Sequence, residues 1–243
     1  MPRHLPVSLA VGLVLGVCGA VGGTASAAET AVRRERFVAS PQPGQAVLAA
    51  SFYSYPTGLA LFSLHQTMSR SDTVDRAVLR VSPDHGKTWE TVGEEPVRTP
   101  RPEGIQRRVL RGGVADPKTG RLVCFWLSAL LPNDDPLEGM RHWTVGYRVS
   151  ADGGRTWQVD EPVVQSGPEF SRSHPFPGVT TGRNAIMIGD LASVPLVLAD
   201  GTFLVPVMVT PTGPEGNYHN PGGGYTYSDG AALRGRWRAD GRI

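Results

Sequence analysis

The chain has 243 residues, with 24 basic and 22 acidic side chains and a formal net charge of +2 at neutral pH. Proteins that bind nucleic acids or membrane surfaces carry a clustered excess of basic residues. The near equality of basic and acidic side chains here argues against both classes. The 30 glycines and 21 prolines interrupt the chain often, which favours many short strands joined by turns.

The N-terminal segment 1–27 is predicted to be a signal peptide. Arg3 and His4 supply a short positive start, and the apolar run Val7–Val21 follows. Ala25-Ser26-Ala27 then provides a small-x-small cleavage site. The apolar run is shorter than the roughly 20 residues that a membrane span needs. We therefore expect a secreted protein that has no membrane contact after cleavage.

The two cysteines lie in very different contexts. Leu15-Gly16-Val17-Cys18 loosely resembles a lipobox, so a lipoprotein anchored through Cys18 is the alternative to secretion, but Val17 fits that pattern poorly. Cleavage would leave Cys124 alone, so the mature chain would have no internal disulfide. Cys124 lies in the apolar run Leu122–Trp126 and is predicted to be a small buried hydrophobe.

After a lead-in at 28–44, alternating apolar runs divide residues 45–243 into three units, at about 45–97, 105–165 and 186–243. Each of the first two units contains four predicted strands, with tight turns at Pro56-Thr57-Gly58 and Asp116–Gly120. The predicted strands are 45–51, 59–65, 76–81 and 90–97 in the first unit, and 108–115, 121–128, 142–149 and 158–164 in the second. Four antiparallel strands repeated at this period predict the blades of a β-propeller.

Two turns, one in each of these units, match almost letter for letter. Both segments read Ser-x-Asp-x-Gly-x-Thr-Trp, and they start 68 residues apart. The residues of this motif are Ser82, Asp84, Gly86, Thr88 and Trp89 in the first copy, and Ser150, Asp152, Gly154, Thr156 and Trp157 in the second. In such a turn the Asp accepts bonds from backbone N–H groups, the Gly permits positive φ and the Trp packs its ring on the sheet. We predict a structural role for all ten residues.

The third unit is less regular. Its predicted strands are 191–198 and 202–210, and 224–228 begins a third strand. Tyr227-Ser228-Asp229-Gly230 keeps only the start of the repeated motif.

The repeated motif resembles the Asp-box, or bacterial neuraminidase repeat, of the sialidase superfamily. The resemblance implies an all-β fold, a sialidase-like β-propeller with six blades in the family and about three four-stranded blades here. Closed propellers have typically four to eight blades. We therefore expect the chain to be the N-terminal half of a larger protein, or a truncated reading frame.

The resemblance also implies an activity. Family sialidases hold a substrate carboxylate with three arginines and use a Tyr nucleophile assisted by Glu, with an Asp as acid/base. No Arg-Ile-Pro precedes the first unit here, and Arg33–Phe37 is not a convincing substitute. The remaining arginines, the Glu and the Tyr would belong to later blades. Asp72 and Asp75, in the loop of the first unit, are the candidates for the acid, so the catalytic set is otherwise unknown.

Strand alternation places the long polar loops at one end of the blades, where function is expected. Two loops, 166–190 and 211–223, are rich in groups that suit a polyhydroxylated or carboxylated sugar. The candidate substrate-binding residues are His174, Arg183, Asn184, Asp190, Tyr218, His219 and Asn220. For each of them, a loop residue that only solvates itself is the alternative interpretation.

Three functions stay open. The first is a secreted sialidase-like glycoside hydrolase, exo-acting on terminal sugars of glycans. The second is a non-catalytic carbohydrate- or protein-binding propeller, and the third is an inert truncated product. No zinc spacing, phosphate loop or serine-hydrolase elbow is present in the sequence, so no metal and no cofactor are expected. The expected partner is a glycan or glycoconjugate, with no nucleic acid.

Overall fold

The computed structural model describes residues 36–54, 60–70, 72–189, 193–223 and 227–243. The described part is nearly all β, with one short helical segment. The strands are β1 (Ala46–Ser54), β2 (Ala60–Met68), β3 (Arg76–Ser82), β4 (Glu90–Glu95), β5 (Arg98–Arg101), β6 (Gly104–Ala115), β7 (Leu122–Leu131), β8 (Thr144–Ser150), β9 (Val159–Pro162), β10 (Ile186–Met187), β11 (Leu196–Val197), β12 (Phe203–Val209) and β13 (Asp229–Gly235). A 3₁₀ turn (Pro136–Glu138) leads into the helix α1 (Gly139–His142).

The strands form three antiparallel sheets in chain order, which we call blades 1, 2 and 3. Blade 1 has the order β1-β2-β3-β4, and blade 2 has the order β5-β6-β7-β8-β9. In blade 3, β10 and β11 both pair with β12, whose other edge pairs with β13. Successive up-and-down sheets of this kind are propeller blades, so the predicted fold class is confirmed.

Strand β7 shows why the middle blade is the centre of the fold. Its sequence is a continuous apolar run, which predicts burial on both faces. One set of alternating side chains, including Phe125 and Leu127, joins a core that contains Phe203 and Val205 of blade 3. The opposite set, including Trp126, joins a core with the buried side chains of blade 1. Blade 2 is therefore covered on both sides.

Cys124 is one of these buried side chains, with 2% of its surface exposed. Burial raises the pKa of its thiol to about 12, so the thiolate that would react or bind a metal does not form at neutral pH. The interpretation of Cys124 as a buried hydrophobe is confirmed.

Blade 3 differs from blade 2 on its outer face. Phe203, Val205 and Val207 of β12 point into the shared core, whereas Met208 and Leu196 are exposed by 37% and 50%. The third strand begins later than the predicted 224–228: Tyr227 and Ser228 lie outside any strand, and Asp229 and Gly230 begin β13 and pair with Val209 and Met208. Pairing along β12 satisfies their backbone groups.

A second correction concerns the link between blades 1 and 2. The sequence predicts a polar loop at 98–107, but β5 folds back on the start of β6 as a tight hairpin, with Arg98 opposite Arg107 and Arg101 opposite Gly104. At Gly104, with φ 144°, a Cβ would collide with the backbone of Leu131, so glycine permits this approach.

Residues Val38–Ile243 form one compact unit, and the preceding unit, Met1–Phe37, lies almost wholly outside the described residues. The predicted signal peptide at 1–27, with Cys18, and the predicted turn at Pro56-Thr57-Gly58 also lie outside them. No helix within the described ranges is long and apolar enough to cross a membrane.

Candidate functional site

The Asp-box turns have matching hydrogen bonds in both copies. In blade 1 the Asp84 carboxylate accepts from the Thr88 backbone N–H at 2.8 Å and from its hydroxyl at 2.7 Å. In blade 2 Asp152 accepts from the same two groups of Thr156, at 2.9 and 2.6 Å. The serine that opens each motif donates to the Asp and accepts from the glycine N–H. Each carboxylate thus organises its own turn.

These bonds shift the titration of both carboxyl groups. The backbone N–H and then the hydroxyl of Thr88 lower the pKa of Asp84 to about 2. Burial acts to raise the pKa of Asp152, but bonds from Thr156 and Ser150 outweigh it and hold that pKa at about 2. Both groups are therefore ionised at neutral pH and committed to the turn.

Two further aspartates, at the same end of the blades as the two Asp-box turns, also have their carboxylates engaged in hydrogen bonds. Asp116 accepts from the backbone of Lys118, the Thr119 hydroxyl and the indole of Trp237, the last at 2.7 Å. Asp200 accepts from Thr202 and from an arginine of blade 3. We call this end, with its turns at 83–89, 116–121, 151–158 and 199–201, the turn end.

The described parts of four loops lie at the opposite end, which we call the loop end: 69–70 with 72–75, 132–143, 163–185, and 210–223 with 227–228. Hydrogen bonds join these loops in succession. Arg107 donates to the Val74 carbonyl and pairs with both oxygens of Asp134, at 2.7 and 2.9 Å. Gly182 donates to the Arg141 carbonyl, and Tyr218 donates to the carbonyl of Arg183. The long loops do lie together, as the strand alternation predicts.

The two candidate acids occupy different positions in the first of these loops. Asp75 is exposed, and its carboxylate accepts from the backbone N–H of Ser69 at 2.7 Å, so it closes its own loop. Asp72 is exposed and left-handed, with φ 56°. It lines a cavity of about 20 Å³ together with Arg107 and Asp134, which has room for about one water. Of the two candidate acids, Asp72 is therefore the one that lines a cavity.

Asn184 holds two loops together. It is buried, with 1% of its surface exposed, and its Nδ2 donates to the carbonyls of Gly178 and Thr210 at 2.7 and 2.8 Å. Its Oδ1 accepts from the backbone N–H of Thr180 at 2.7 Å. These bonds fix the amide inside the protein, so Asn184 positions the loop and is covered from solvent.

Arg183, Tyr218 and His219 are brought together at the surface, and we call them the loop-end site. The Tyr218 N–H donates to the Arg183 carbonyl at 2.9 Å, and His219 follows it in the chain. Within the described ranges no hydrogen bond or ion pair engages the Arg183 guanidinium, which is exposed. Tyr218 and His219 line a hollow of about 310 Å³ in the loop around them.

The other predicted ligands are distributed differently. His174 lies in the 163–185 loop, where Nδ1 is 2.7 Å from the Val179 carbonyl and the ring stacks on Phe170. Asn220 lines the same hollow as His219. Asp190 lies outside the described residues. Asn220 thus joins the loop-end site, whereas His174 is held within its own loop.

Sequence reasoning missed Arg141 and the Arg107–Asp134 pair. The Arg141 guanidinium lies 4.9 Å from the centre of the Tyr218 ring, which orients that ring beside the site. Arg107 lies in β6, and it is buried by contacts with Val74 and Asp134 that no local sequence signal shows. Among the described residues no group of His, Cys, Asp or Glu could hold a metal ion.

The successive antiparallel sheets, two of them closed by the same hydrogen-bonded turn, have the architecture of β-propeller blades. No protein-family profile and no curated protein matches the chain. Among solved structures it is similar to the Hadza microbial sialidase Hz136, with 14% identity and a TM-score of 0.44 over 67% of this chain and 32% of that one.

Two further solved structures are similar to a larger part of the chain. A protein of unknown function from Dyadobacter fermentans has 13% identity and a TM-score of 0.41, over 80% of this chain and 56% of that one. An alpha-L-arabinanase from Penicillium chrysogenum, complexed with arabinobiose, has 16% identity and a TM-score of 0.38, over 80% of this chain and 51% of that one. The chain thus spans 32% to 56% of these three structures.

Proposed function

We propose that the protein is an exported glycan-recognising propeller that serves the hydrolysis of terminal sugars, as a sialidase-like glycoside hydrolase does. The observation that carries this proposal is Arg183, whose exposed guanidinium has no partner among the described residues and whose backbone carbonyl accepts from the N–H of Tyr218, next to His219, at the end of the blades where the long loops meet. A guanidinium and an imidazole on a rigid scaffold suit the hydroxyl and carboxylate groups of a sugar.

Asp72 is the carboxyl group that we propose as the acid in hydrolysis. It is exposed at the loop end, and Arg107 lies across the same small cavity. Asp75 does not line this cavity, and Asp134, which does, is held by Arg107 and Arg98. We also propose export with cleavage near Ala27, which N-terminal sequencing of the secreted protein tests; a retained Met1 would contradict it.

A second candidate is a glycan-binding propeller without turnover. It is favoured by the commitment of Asp134, the other carboxylate that lines the Asp72 cavity, to two arginines. With its oxygens held in ion pairs, Asp134 is poorly suited to act as a base in the two-carboxylate scheme that most glycosidases use.

One experiment tests both candidates on the full chain. Binding to a glycan array is measured for the wild type, for Arg183→Ala and for the turn-end control Arg155→Ala, together with turnover of a panel of fluorogenic glycosides. We expect binding that only Arg183→Ala weakens. Turnover that Asp72→Asn abolishes while binding remains supports the hydrolase, and binding without any turnover supports the second candidate. Absence of both binding and turnover refutes both.

A further inference from the structure

A second polar groove lies on blade 2, apart from the loop-end site. It has a volume of about 550 Å³, within the range of ligand sites, and runs between one face of the sheet and the 163–185 loop. Strands β6, β7, β8 and β9 contribute its floor. Neither Arg183, Tyr218 nor His219 lines it, so the proposed function does not account for this groove.

The floor of the groove is a platform of three side chains. The Trp126 indole donates from Nε1 to Asp160 Oδ1 at 3.0 Å. Arg108 lies over the indole, with Cζ 4.4 Å from the ring centre, and its Nη2 pairs with the same Asp160 oxygen at 2.5 Å. The guanidinium is therefore stacked and pinned, with about a third of the Arg108 side chain exposed to the groove.

Gly146 makes room for this platform. It stands opposite Trp126 in the register of β7 and β8, and a Cβ at this position would collide with the indole ring. Glycine inside a strand weakens it, and such a residue often marks a place where another group must approach closely. Here that group is the indole, which reaches across β8 to bond with Asp160 on β9.

The groove has an excess of positive charge. Arg101 and Arg172 line it, and within the described residues neither guanidinium has a hydrogen bond or an ion pair. Asp160 is the acidic residue of the lining, and Arg108 already neutralises it. Burial lowers the pKa of His142, so this lining residue is neutral at pH 7. Two unpaired guanidinium groups therefore face an open groove.

We propose that this groove binds an acidic saccharide, one that carries carboxylate or sulfate groups on its sugar rings. The guanidinium groups of Arg101 and Arg172, which have no described partner, can each donate two parallel hydrogen bonds to a carboxylate or sulfate group. Ser128 and Thr144 supply hydroxyl groups for the sugar hydroxyls, and Pro162 supplies a flat apolar surface for the C–H face of a ring. The mixture of polar and apolar lining separates this groove from a purely electrostatic patch.

The test is titration calorimetry on the full chain at two salt concentrations. The probes are a heparin-derived hexasaccharide for sulfate, a galacturonic acid hexamer for carboxylate, and cellohexaose as the uncharged control. We expect at least one of the two acidic probes to bind, more weakly at high salt, and cellohexaose to bind much more weakly. Arg101→Ala/Arg172→Ala is expected to weaken that binding by about tenfold or more. The surface control Arg155→Ala is expected to leave it unchanged.

Arg183→Ala separates this proposal from the proposed function, because acidic-probe binding that this variant weakens belongs to the loop-end site, whereas binding that Arg101→Ala/Arg172→Ala weakens belongs to the groove. Arg172→Ala alone serves if the double variant unfolds, since this exposed side chain has no partner among the described residues. The proposal is overturned if neither acidic probe binds, or if the wild type and Arg101→Ala/Arg172→Ala bind these probes equally well. Equally tight binding of hexaglutamate or of an oligothymidylate would assign the groove to another ligand class.

Discussion

The two ends of the blades use their polar side chains in opposite ways. At the turn end Asp84, Asp116, Asp152 and Asp200 each accept two or more hydrogen bonds, most of them from their own turn. At the loop end the guanidinium of Arg183 engages no described partner. The four turn-end carboxylates therefore hold the strands together, whereas the loop end combines engaged groups such as Asn184 with an exposed guanidinium, that of Arg183.

The contrast explains why repeated residues are a poor guide to the site of this protein. The Asp-box repeats because each blade needs the same turn, and a turn that bonds to itself has no group left for a ligand. Loops that bind a ligand need not repeat, since each meets a different part of it. If this comparison is right, substitutions at the turn end change stability and substitutions on the loop-end surface change binding.

The largest loss of stability is expected for Gly154→Ala at the turn end. Gly154 has φ 97°, and a Cβ there would lie 2.5 Å from the Phe62 ring in the buried core. Backbone strain and overpacking together should lower the free energy of unfolding by about 2–4 kcal/mol. The matched control is Gly178→Ala at the loop end, which has φ 71° and open space, and should cost about 1 kcal/mol. Urea unfolding measures both changes. Equal losses in the free energy of unfolding for the two variants would show that the contact with Phe62 is unimportant.

Asn184→Ala is expected to have the next largest effect, and it qualifies the comparison because this residue belongs to the loop end. The substitution leaves the Thr180 N–H and the carbonyls of Gly178 and Thr210 without their partner. Unpaired buried groups should cost about 1–3 kcal/mol. Thermal unfolding of this variant is compared with that of Asn217→Ala, an exposed asparagine of the neighbouring loop. Similar melting temperatures for the two variants would show that the Asn184 side chain does not stabilise the loop.

Asp152→Ala should cost about 1 kcal/mol, because the side chain is exposed and each of its bonds makes a modest net contribution. The loss should depend on pH. The pKa of about 2 in the folded protein is below the unfolded value, so the stabilisation is present above about pH 4 and disappears as the pH falls through 2. Urea unfolding at pH 6 and at pH 2 should show wild type and variant converging in acid. A constant difference between them would mean that the carboxylate charge contributes nothing.

The sequence predicts the fold well because blades are built from local signals. The continuous apolar run of β7 and the two Asp-box turns are visible in short segments, and the structure contains each of them. The pairing of Asp229 with Val209 joins residues that are distant in the chain, so local turn propensity could not reveal it. The β5 hairpin is local, but its Gly104 packs against the backbone of Leu131, a contact that the local sequence does not show. Among the candidate ligands, Arg183 and Asn184 are adjacent in sequence, yet one is exposed and the other is buried. Only the packing of Thr210 against the loop distinguishes them.

The smallest change in stability is expected for Arg183→Ala and His219→Ala, which test the loop-end surface itself. Arg183 has no described side-chain partner, and His219 contacts the exposed ring of Tyr227 edge-on, with ring centres 5.1 Å apart. Surface substitutions of this kind usually change the free energy of unfolding by less than about 0.5 kcal/mol. Glycan binding should nevertheless weaken by about tenfold for Arg183→Ala, since a charge-assisted bond is lost. Calorimetric titration with the glycan found on the array, paired with thermal unfolding, gives both quantities. A variant that melts early yet binds normally in its folded fraction would make this surface structural, and the contrast between the two ends of the blades would fail.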